Sequence, residues 1–501
     1  MTDEKSREEI IEDIENVLIS AGAGSGKTSI LVRKMNWDLT NNTTHYKIAA
    51  ITFTKKAAKE IKDRLGGKAI GSFVGTNDSF VEQEIIRPFI RDALGSSYND
   101  NFDVEYSKSK FDTSEEGLSI LRNQNILSAF NDNKKNFKFQ LALRILKSSK
   151  AARQYLCAKF FKVFIDEYQD CDKDMHQLFM YLKDELKIKL FIVGDPKQSI
   201  YIWRGADPEY FKGLIINPND FNVYSLTNNF RCCSDIQNYS NLFYEETRHL
   251  FSERECVENV IGISDSGPIS DILDNLTSGE NLLNIEEELA ILVRTNNQAQ
   301  TILNELNEHG YNFTYIPRTP LDNGTRNVVL LIELAKYAKN DRYSIYDVIS
   351  ELAGEYSSAD VKEINDIIKV LKEQDIEEEQ ITRVLTDLFY KLNIPMDINE
   401  LQSFIEVIRV SDYDIAFDGS THNHKIMTVH SSKGLEFKQV ILFASDYKIY
   451  WNRDVNEHYV ATTRGEEKMI VILDDTRYIN HLQQLRSLCN LDSIEKVIKV
   501  I

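Results

Sequence analysis

The amino-acid sequence predicts an α/β protein made of two parallel-sheet lobes, each carrying a mostly helical insertion. Apolar runs rich in Val, Ile and Leu are continuous rather than alternating, as in strands buried on both faces of a parallel sheet. Helical patterns lie between these runs, which is typical of right-handed β-α-β connections. The runs fall into two sets, before and after about residue 225. We therefore expect two lobes of similar construction.

The strand-like runs are short, and several end at a polar loop suited to chemistry. Helical patterns such as TSILVRKMNWDL (28–39) and KKAAKEIKDRL (55–65) separate the first of them. The predicted strands are NVLIS (16–20), KIAAITFT (47–54), FKVFIDE (161–167), KLFIVGD (189–195), ELAILVRT (288–295), KIMTVH (425–430), QVILFASD (439–446) and MIVILDD (469–475).

Two long, mostly helical stretches interrupt the strands, and they set the predicted domain boundaries. The chain contains only 8 prolines, and we find neither a solenoid repeat nor a Gly/Ser-rich linker between the parts. The predicted divisions are a first lobe of 1–82 and 156–225, a basic helical insertion of 83–155, a second lobe of 226–319 and 416–501, and a reduced helical insertion of 320–415.

The composition is that of an ordinary globular protein, with 501 residues, 42% hydrophobic and 27% charged. No apolar run reaches the roughly 18 residues that a membrane helix needs. The acidic segment MTDEKSREEI at the N-terminus does not fit a signal peptide. The six cysteines show no CxxC spacing, so we expect free thiols in a reducing cytoplasm.

The charge is distributed unevenly along the chain. A net charge of −19 argues against a protein that coats nucleic acid without specificity. Nine basic residues and no acidic ones nevertheless lie between Lys134 and Lys162, and a second basic cluster lies within 55–68. Each cluster is either an ordinary solvated face or part of a local track for a phosphate backbone.

The segment AGAGSGKT (21–28) lies between a predicted strand and a predicted helix, as a phosphate-binding loop does. Glycines let backbone N–H groups turn towards phosphate oxygens, and the helix N-terminus adds partial positive charge. Lys27 can supply a cation to the terminal phosphates, and the Thr28 hydroxyl can ligate magnesium. A glycine-rich turn without nucleotide is the alternative, because the strict pattern has Gly at the first position. The predicted nucleotide-binding residues here are Ala21, Gly22, Ala23, Gly24, Ser25, Gly26, Lys27, Thr28 and Ser29.

The segment FIDEYQD (164–170) supplies the carboxylates that such a site needs. Asp166 ends a buried strand and can ligate magnesium, and Glu167 can orient and deprotonate the attacking water. An exposed Asp-Glu pair is the alternative, but the residues just upstream are apolar or aromatic. The two segments together predict hydrolysis of ATP or another nucleoside triphosphate with Mg²⁺.

IDEYQD and GDPKQSIYIWRGA (194–206) resemble the superfamily 1 helicases of the UvrD/Rep/PcrA type. Seven blocks follow the order of that family over nearly the whole chain. The resemblance implies two RecA-like lobes, nucleotide bound between them, and 3′-to-5′ movement on DNA. The remaining blocks are AITFTKKAAKEI (50–61), LTNNFR (226–231), TVHSSKGLEF (428–437) and YVATTR (459–464).

The resemblance also implies roles for residues outside the phosphate loop. Gln198 would sense the terminal phosphate, and Arg231 and Arg464 would act as arginine fingers on the transferring phosphoryl group. Gly434 and Glu436 would face the phosphates and the ribose. A buried structural ion pair is the alternative for each arginine.

For DNA, the same resemblance places the rings of Phe53, Tyr201 and Trp203 against bases. Aromatic platforms accept any base, at about 1–3 kcal/mol each, so a strand can be followed without reading its sequence. The alternative is that these rings belong to the core. The residues expected near the backbone or bases are Thr52, Thr54, Arg204, Thr428 and His430.

Three departures from the family concern the nucleobase. Glu9 aligns best with a Gln that reads adenine, Ser29 replaces an Arg, and Phe230 replaces a Tyr. Phe230 can still stack on a base, whereas Glu9 can accept a hydrogen bond but cannot donate one. We therefore predict a relaxed or altered base preference.

A final departure is size, because 320–415 is too short for the large accessory domain of the family, and Asn77-Asp78 replaces the usual Phe-His. The shortened pattern resembles, end to end, the helicase-like subunits of the Gabija anti-phage systems. That resemblance implies an endonuclease partner in a hetero-oligomer. Two alternatives stay open, namely a stand-alone UvrD-like repair helicase and a nucleotide-gated DNA-binding subunit that unwinds little.

Overall fold

A computed structural model describes the chain over most of its length. The described residues are 3–105, 109–252, 257–264, 267–278, 282–315, 319–323, 327–340, 343–351, 356–373, 376–417 and 422–501.

Strands and helices alternate through much of the chain. The strands are β1 (Val17–Ala21), β2 (Lys47–Thr52), β3 (Phe73–Thr76), β4 (Asp103–Val104), β5 (Ile126–Leu127), β6 (Phe160–Ile165), β7 (Lys189–Gly194), β8 (Asn222–Leu226), β9 (Val260–Ile263), β10 (Leu289–Val293), β11 (Thr314–Tyr315), β12 (His424–Thr428), β13 (Phe437–Phe443), β14 (Gly465–Ile472) and β15 (Lys499–Val500).

The α-helices of the described residues range in length from 4 residues in α19 to 15 in α2. They are α1 (Glu4–Glu12), α2 (Lys27–Asn41), α3 (Lys55–Leu65), α4 (Asn77–Val81), α5 (Arg87–Leu94), α6 (Ser114–Gln124), α7 (Phe137–Ser148), α8 (Lys150–Lys159), α9 (Lys173–Asp184), α10 (Pro208–Ile216), α11 (Ser234–Asn241), α12 (Ile269–Ser278), α13 (Asn296–Glu308), α14 (Val328–Lys339), α15 (Ile345–Glu351), α16 (Ser358–Ile368), α17 (Glu378–Lys391), α18 (Ile398–Arg409), α19 (Val429–Ser432), α20 (Val455–Thr462) and α21 (Thr476–Leu488).

The first sheet has six strands in the order β3-β2-β6-β7-β1-β8, and every pair is parallel. Both faces are covered, as the continuous apolar runs predict. In β1, Leu18 joins the core on one face, while Val17 and Ile19 join the core on the other. Because all strands run the same way, the loops that follow β1, β6 and β7 meet at one edge of the sheet.

The second sheet has seven strands in the order β11-β12-β10-β13-β14-β9-β15. Its β10 pairs in parallel with β12 and with β13, and β11 pairs in parallel with β12. The predicted fold class, two parallel-sheet lobes of RecA type with helical insertions, is thus confirmed.

The helical regions differ in how they are stabilised. Helices α5 to α9 share one core with the first sheet, in which Phe139 and Leu156 pack with Val163. Helices α14, α16, α17 and α18 instead form a core of their own, around Leu334, Ile364, Leu385 and Phe404.

The chain divides into two compact units, and the division places two distant segments together. Residues 226–231 and 459–464 belong to the same unit as the phosphate loop. The predicted lobe boundaries stay a prediction. The first unit comprises Met1–Val260, Tyr447–Glu467 and Arg477–Lys499, and the second comprises Ile261–Asp446, Lys468–Thr476 and Val500–Ile501.

Part of the basic segment 134–162 pairs with carboxylates of the protein itself. The sequence does not show which carboxylates the fold brings close to these basic residues. Four of the nine basic residues pair with carboxylates from other elements. The pairs are Lys138 with Asp78 and Glu82, Arg144 with Glu115, Lys159 with Glu84, and Lys162 with Asp38. These four residues are paired within the protein, and a phosphate track along the rest of the segment stays a prediction.

Two smaller expectations can be compared with the described residues. Cys157, Cys171, Cys232 and Cys489 are free thiols, as expected, whereas Cys256 lies outside the described residues. Of the helices in the described ranges, none combines the length and apolar character needed to cross a bilayer.

Candidate nucleotide-binding site

The phosphate loop connects β1 to α2 at the carboxyl edge of the first sheet. Gly24 and Gly26 have φ of 68° and 77°, in the left-handed region that favours glycine. The Lys27 ammonium donates to the carbonyl oxygens of Ala21 and Gly22, at 3.3 and 3.4 Å. Lys27 thus lies over the loop, where a phosphate can replace the carbonyls as its partner.

The two predicted carboxylates follow β6, at the same edge of the sheet. Asp166 is buried, and its Oδ1 accepts a hydrogen bond from the Glu167 backbone N–H at 2.9 Å. Glu167 has φ of 55°, which costs a non-glycine residue about 1 kcal/mol or more and persists only where the surroundings hold it. The backbone therefore turns sharply at the predicted base.

Lys27 lies within the electrostatic influence of the predicted carboxylates. Burial lowers the pKa of Lys27, while Glu167, Asp195 and Asp166 act to raise it, and Arg231 lowers it further. Three carboxylates and one further cation thus act on Lys27 of the phosphate loop. Such a balance leaves room for an anionic ligand with a divalent cation.

Magnesium is the ion that this donor set suits. Mg²⁺ prefers oxygen ligands and is usually held by one or two carboxylates together with substrate phosphates. Thr28 and Asp166 are of that type, and the described residues contain no group of three or more His, Cys, Asp or Glu side chains that would hold a metal alone. The chemistry of the two side chains fits the ion, and their role as its ligands stays a prediction.

Gln198 is held by a buried carboxylate that the sequence analysis did not assign. Its Nε2 donates to Asp195 Oδ2 at 2.7 Å, and the Lys197 ammonium lies 2.7 Å from Asp195 Oδ1. Burial opposes ionisation of Asp195, but Lys197 and Lys27 outweigh it and lower the pKa of this carboxyl. Asp195 therefore stays charged and fixes the orientation of the predicted phosphate sensor.

The segment that carries Arg231 packs directly on the phosphate loop. The Phe230 N–H donates to the Gly24 carbonyl at 2.9 Å, and Asn229 Oδ1 accepts from the Arg231 N–H at 2.8 Å. A Cβ on Gly24 would lie 2.0 Å from Asn229 Oδ1, so no side chain fits there. Asn229 thus places the predicted arginine finger beside the loop.

The second predicted finger, Arg464, has a more buried setting. Its side chain is 1% exposed, and its Nε donates to the Val460 carbonyl at 2.9 Å. Tyr459, five residues earlier, accepts a hydrogen bond from the Ala23 N–H of the phosphate loop at 3.3 Å. Helix α20 therefore contacts the loop through Tyr459, while the buried Arg464 lies two residues beyond the end of that helix.

Arg7 is a cation beside the phosphate loop to which the sequence analysis assigned no role. Its guanidinium donates to the Ser25 carbonyl at 2.5 Å and lies 5.3 Å from the centroid of the exposed Phe230 ring. Glu9 lies on the opposite side of α1, half-exposed and 3.7 Å from Lys5. Residues two positions apart on a helix face nearly opposite directions, so Glu9 faces away from the loop that Arg7 contacts. The position of Glu9 therefore does not support its predicted contact with a nucleobase. Ser29 is exposed on the first turn of α2.

Three of the predicted DNA-binding residues form what we call the aromatic platform, namely Tyr201, Trp203 and Arg204. The Trp203 side chain is 52% exposed, so it is not a core residue. The Arg204 guanidinium lies 4.5 Å from the Trp203 ring and 5.7 Å from the Tyr201 ring. An exposed ring stacked with a cation is suited to an unpaired base.

The other predicted DNA contacts of this unit are partly engaged in local structure. Phe53 is half-buried against the core of the first sheet. The Thr52 hydroxyl donates to the Thr54 carbonyl at 2.8 Å, and Thr54 caps α3 by accepting from the Ala57 N–H at 3.2 Å. These residues therefore shape the loop after β2.

The remaining predicted residues lie in the second compact unit. Thr428 is buried and caps α19, accepting from the Ser431 N–H at 3.3 Å, and His430 lies within that helix. Gly434 has φ of 83° and is exposed, as is Glu436. Their predicted roles at the nucleotide and at DNA stay predictions.

Known proteins match the chain over nearly all its length. Residues 7–204 match the family model described as an AAA domain, and residues 329–476 match the UvrD-like helicase C-terminal domain. The chain is 60% identical over 493 residues to "Gabija protein GajB" of Bacillus cereus, covering 98% of this chain and 100% of that protein.

More distant relatives are named as DNA helicases. A probable DNA helicase II homolog of Mycoplasma genitalium is 24% identical, with 91% of this chain and 82% of that protein covered. The ATP-dependent DNA helicase PcrA of Staphylococcus epidermidis is 23% identical, with 92% and 82% covered. The resemblance predicted from the sequence is confirmed by these matches.

Proposed function

This chain belongs to the family of the Gabija protein GajB and carries UvrD-like helicase domains, and we propose that it is a DNA-dependent ATPase that moves along or unwinds DNA as the helicase-like subunit of a Gabija antiviral defence complex. The observation that carries this proposal is the convergence of Lys27, Asp166, Glu167 and Asp195 on one phosphate loop. The predicted DNA-binding residues are the basis for proposing that DNA stimulates this hydrolysis.

Hydrolysis follows from the roles of the residues around that loop. The loop N–H groups and Lys27 bind the phosphates, and Thr28 and Asp166 would hold Mg²⁺, which neutralises charge on the transferring phosphoryl group. Glu167 accepts the proton of the attacking water, and Gln198 contacts the terminal phosphate. Arg231 and Arg464 stabilise the charge that develops in the transition state, an effect that reaches about 10³–10⁵ in rate in related reactions.

Movement on DNA follows from the placement of the aromatic platform directly after the loop 194–199. Stacking of unpaired bases on Trp203 and Tyr201 grips a strand without regard to sequence. Phe53, Thr52, Thr54 and Arg204 complete the contacts of this unit, and Thr428 and His430 those of the other. The direction we propose is 3′ to 5′.

The proposal includes two residues of the second unit, Gly434 and Glu436. Gly434 and Glu436 face the phosphates and the ribose when nucleotide is bound. Domain closure around nucleotide, followed by opening after hydrolysis, is a common way to convert a chemical cycle into motion.

The base of the nucleotide is held by stacking rather than by specific hydrogen bonds. The exposed Phe230 ring, with the Arg7 guanidinium beside it, accepts any large base. We therefore propose that GTP is hydrolysed as well as ATP. Turnover of ATP, GTP and CTP at equal concentration tests this, and a strict preference for ATP would refute it.

The partner we propose is the endonuclease GajA, in a cytoplasmic hetero-oligomer that also holds Mg²⁺, ATP and DNA. Strand displacement should be measured on duplexes with 3′ or 5′ tails, with and without GajA. We expect displacement from the 3′ tail only, and more of it when GajA is present. DNA-stimulated hydrolysis without displacement under either condition would favour a nucleotide-gated regulatory subunit instead.

A further inference from the structure

Gln169 lies between the predicted base and the loop that precedes the aromatic platform. We infer that Gln169 is a positioning residue that holds Glu167 in register with the loop 194–199 and so links hydrolysis to occupancy of the platform. The inference rests on the proposed function and assigns to Gln169 a part in it.

The amide nitrogen of Gln169 binds Glu167, the predicted general base. Gln169 is completely buried in the short turn after β6. Its Nε2 donates a hydrogen bond to the Glu167 carboxylate. A buried amide that donates to a carboxylate fixes the direction in which that carboxylate can accept a proton, because the buried amide has no water to take the place of its partner.

The other end of Gln169 holds the loop that follows β7. Its Oε1 accepts from the Asp195 N–H at 2.9 Å, and its backbone carbonyl accepts from the buried Ser199 hydroxyl at 3.1 Å. Both ends of 194–199 are therefore attached to this one residue. Asp195 in turn orients Gln198 and Lys197, so the phosphate sensor shares the same anchor.

The close approach of the two segments depends on Gly194. A Cβ at that position would lie 2.7 Å from Gln169 Oε1 and 3.3 Å from the Gln169 backbone nitrogen. Only glycine at position 194 leaves space for the Gln169 amide. The contact therefore depends on both residues, Gly194 in one segment and Gln169 in the other.

The connection continues from this loop to DNA. Ser199 is two residues from Tyr201, where the aromatic platform begins, and the Asn456 amide holds the Ser199 carbonyl at 2.8 Å. A strand that stacks on the platform displaces 194–199, and the displacement reaches Glu167 through the backbone and the side chain of Gln169. Chains of packed side chains and hydrogen bonds carry energetic coupling between two sites in this way.

Gln169→Glu tests the inference, because it keeps the shape and the acceptor to the Asp195 N–H but replaces the donor to Glu167 with a second carboxylate. In the full-length chain we expect kcat for ATP to fall about 10- to 100-fold, with KM within about twofold of wild type. Stimulation of turnover by oligo-dT should fall at least about fivefold, while the affinity for oligo-dT is unchanged. A merely structural role would not separate kcat from KM in this way.

Gln140→Glu is the matched control. The Gln140 amide donates to Asp174 at 3.0 Å in the same unit, so the substitution makes the same chemical change away from the nucleotide. It should leave kcat, KM and the stimulation by oligo-dT unchanged.

Where Gln169→Glu does not fold, Gln169→Met takes its place with the same criteria, since it removes both side-chain hydrogen bonds without adding charge. A variant that turns over and responds to oligo-dT like wild type overturns this inference alone. A wild-type protein without any turnover overturns the proposed function.

Discussion

The guanidinium carbon of Arg7 lies 5.3 Å from the centroid of the Phe230 ring, and the same guanidinium donates to the Ser25 carbonyl of the phosphate loop. One side chain of α1 thus connects the predicted phosphate loop to the exposed Phe230 ring. We propose that Arg7 supplies the cation that the family has in place of Ser29.

Replacing Arg7 should therefore weaken nucleotide binding without stopping the chemistry. A cation beside an aromatic ring contributes about 0.5–2 kcal/mol, so Arg7→Ala should raise KM roughly 10-fold. The factor should be similar for ATP and GTP, and kcat should change less than about threefold. Steady-state hydrolysis of both nucleotides measures this.

Arg122→Ala is the control, because Arg122 is an exposed arginine of α6 in the same unit. It should leave both KM values unchanged. An Arg7→Ala protein with a normal KM would show that the guanidinium does not serve the base.

Trp203→Ala should weaken DNA binding selectively. Loss of one stacking ring costs about 1–3 kcal/mol, which corresponds to roughly a 5- to 150-fold rise in Kd for oligo-dT. Hydrolysis in the absence of DNA should be unaffected, because Trp203 is not among the residues to which we assign a part in hydrolysis. Fluorescence anisotropy of a labelled oligo-dT gives the Kd.

The chain offers a close control in Trp451, which is 58% exposed and has the Arg477 guanidinium 5.5 Å from its ring. Trp451→Ala should bind oligo-dT like wild type. Equal losses in the two variants would mean that neither ring marks the DNA path.

A pH dependence follows from the buried group of Lys34, Asp38 and Lys162. Lys34 is fully buried and donates to Asp38 at 2.7 Å, while Lys162 lies 3.1 Å from the same carboxylate. Burial, with a contribution from Lys162, lowers the pKa of Lys34 to about 8. Between pH 8 and the ordinary pKa of about 10.4, the unfolded chain therefore binds more protons than the folded one, and stability rises with pH.

Lys34→Met should remove this dependence and leave Asp38 paired with Lys162 alone. The free energy of unfolding of wild type relative to the variant should increase by about 2 kcal/mol from pH 7.5 to 9.5. Urea denaturation at several pH values measures the difference. A constant difference across this range would contradict the lowered pKa.

The parts of the site that the sequence predicts best are those whose chemistry is local. AGAGSGKT and FIDEYQD each place a strand, a turn and their functional groups within eight residues, so a pattern suffices. The same holds for β1, whose alternate residues enter two cores because both faces are covered.

Contacts between distant segments are what the sequence could not provide. Asp195, Asn229 and Gln169 act through partners that only the fold brings near, and the basic residues of 134–162 meet their carboxylates in the same way. Arg7 is an exception, because it lies three positions before the buried Ile10 and so on the inner face of α1, whereas Glu9 does not. Helical periodicity could have selected Arg7 in place of Glu9.

The central claim is that Glu167 activates water for a hydrolysis that DNA stimulates, and ATP turnover with oligo-dT tests it most directly. Wild type should hydrolyse ATP faster when oligo-dT is added, whereas Glu167→Gln should bind ATP and turn it over about 10²–10⁴ times more slowly. Normal turnover by Glu167→Gln, or no turnover by wild type with any oligonucleotide or partner subunit, would contradict the account.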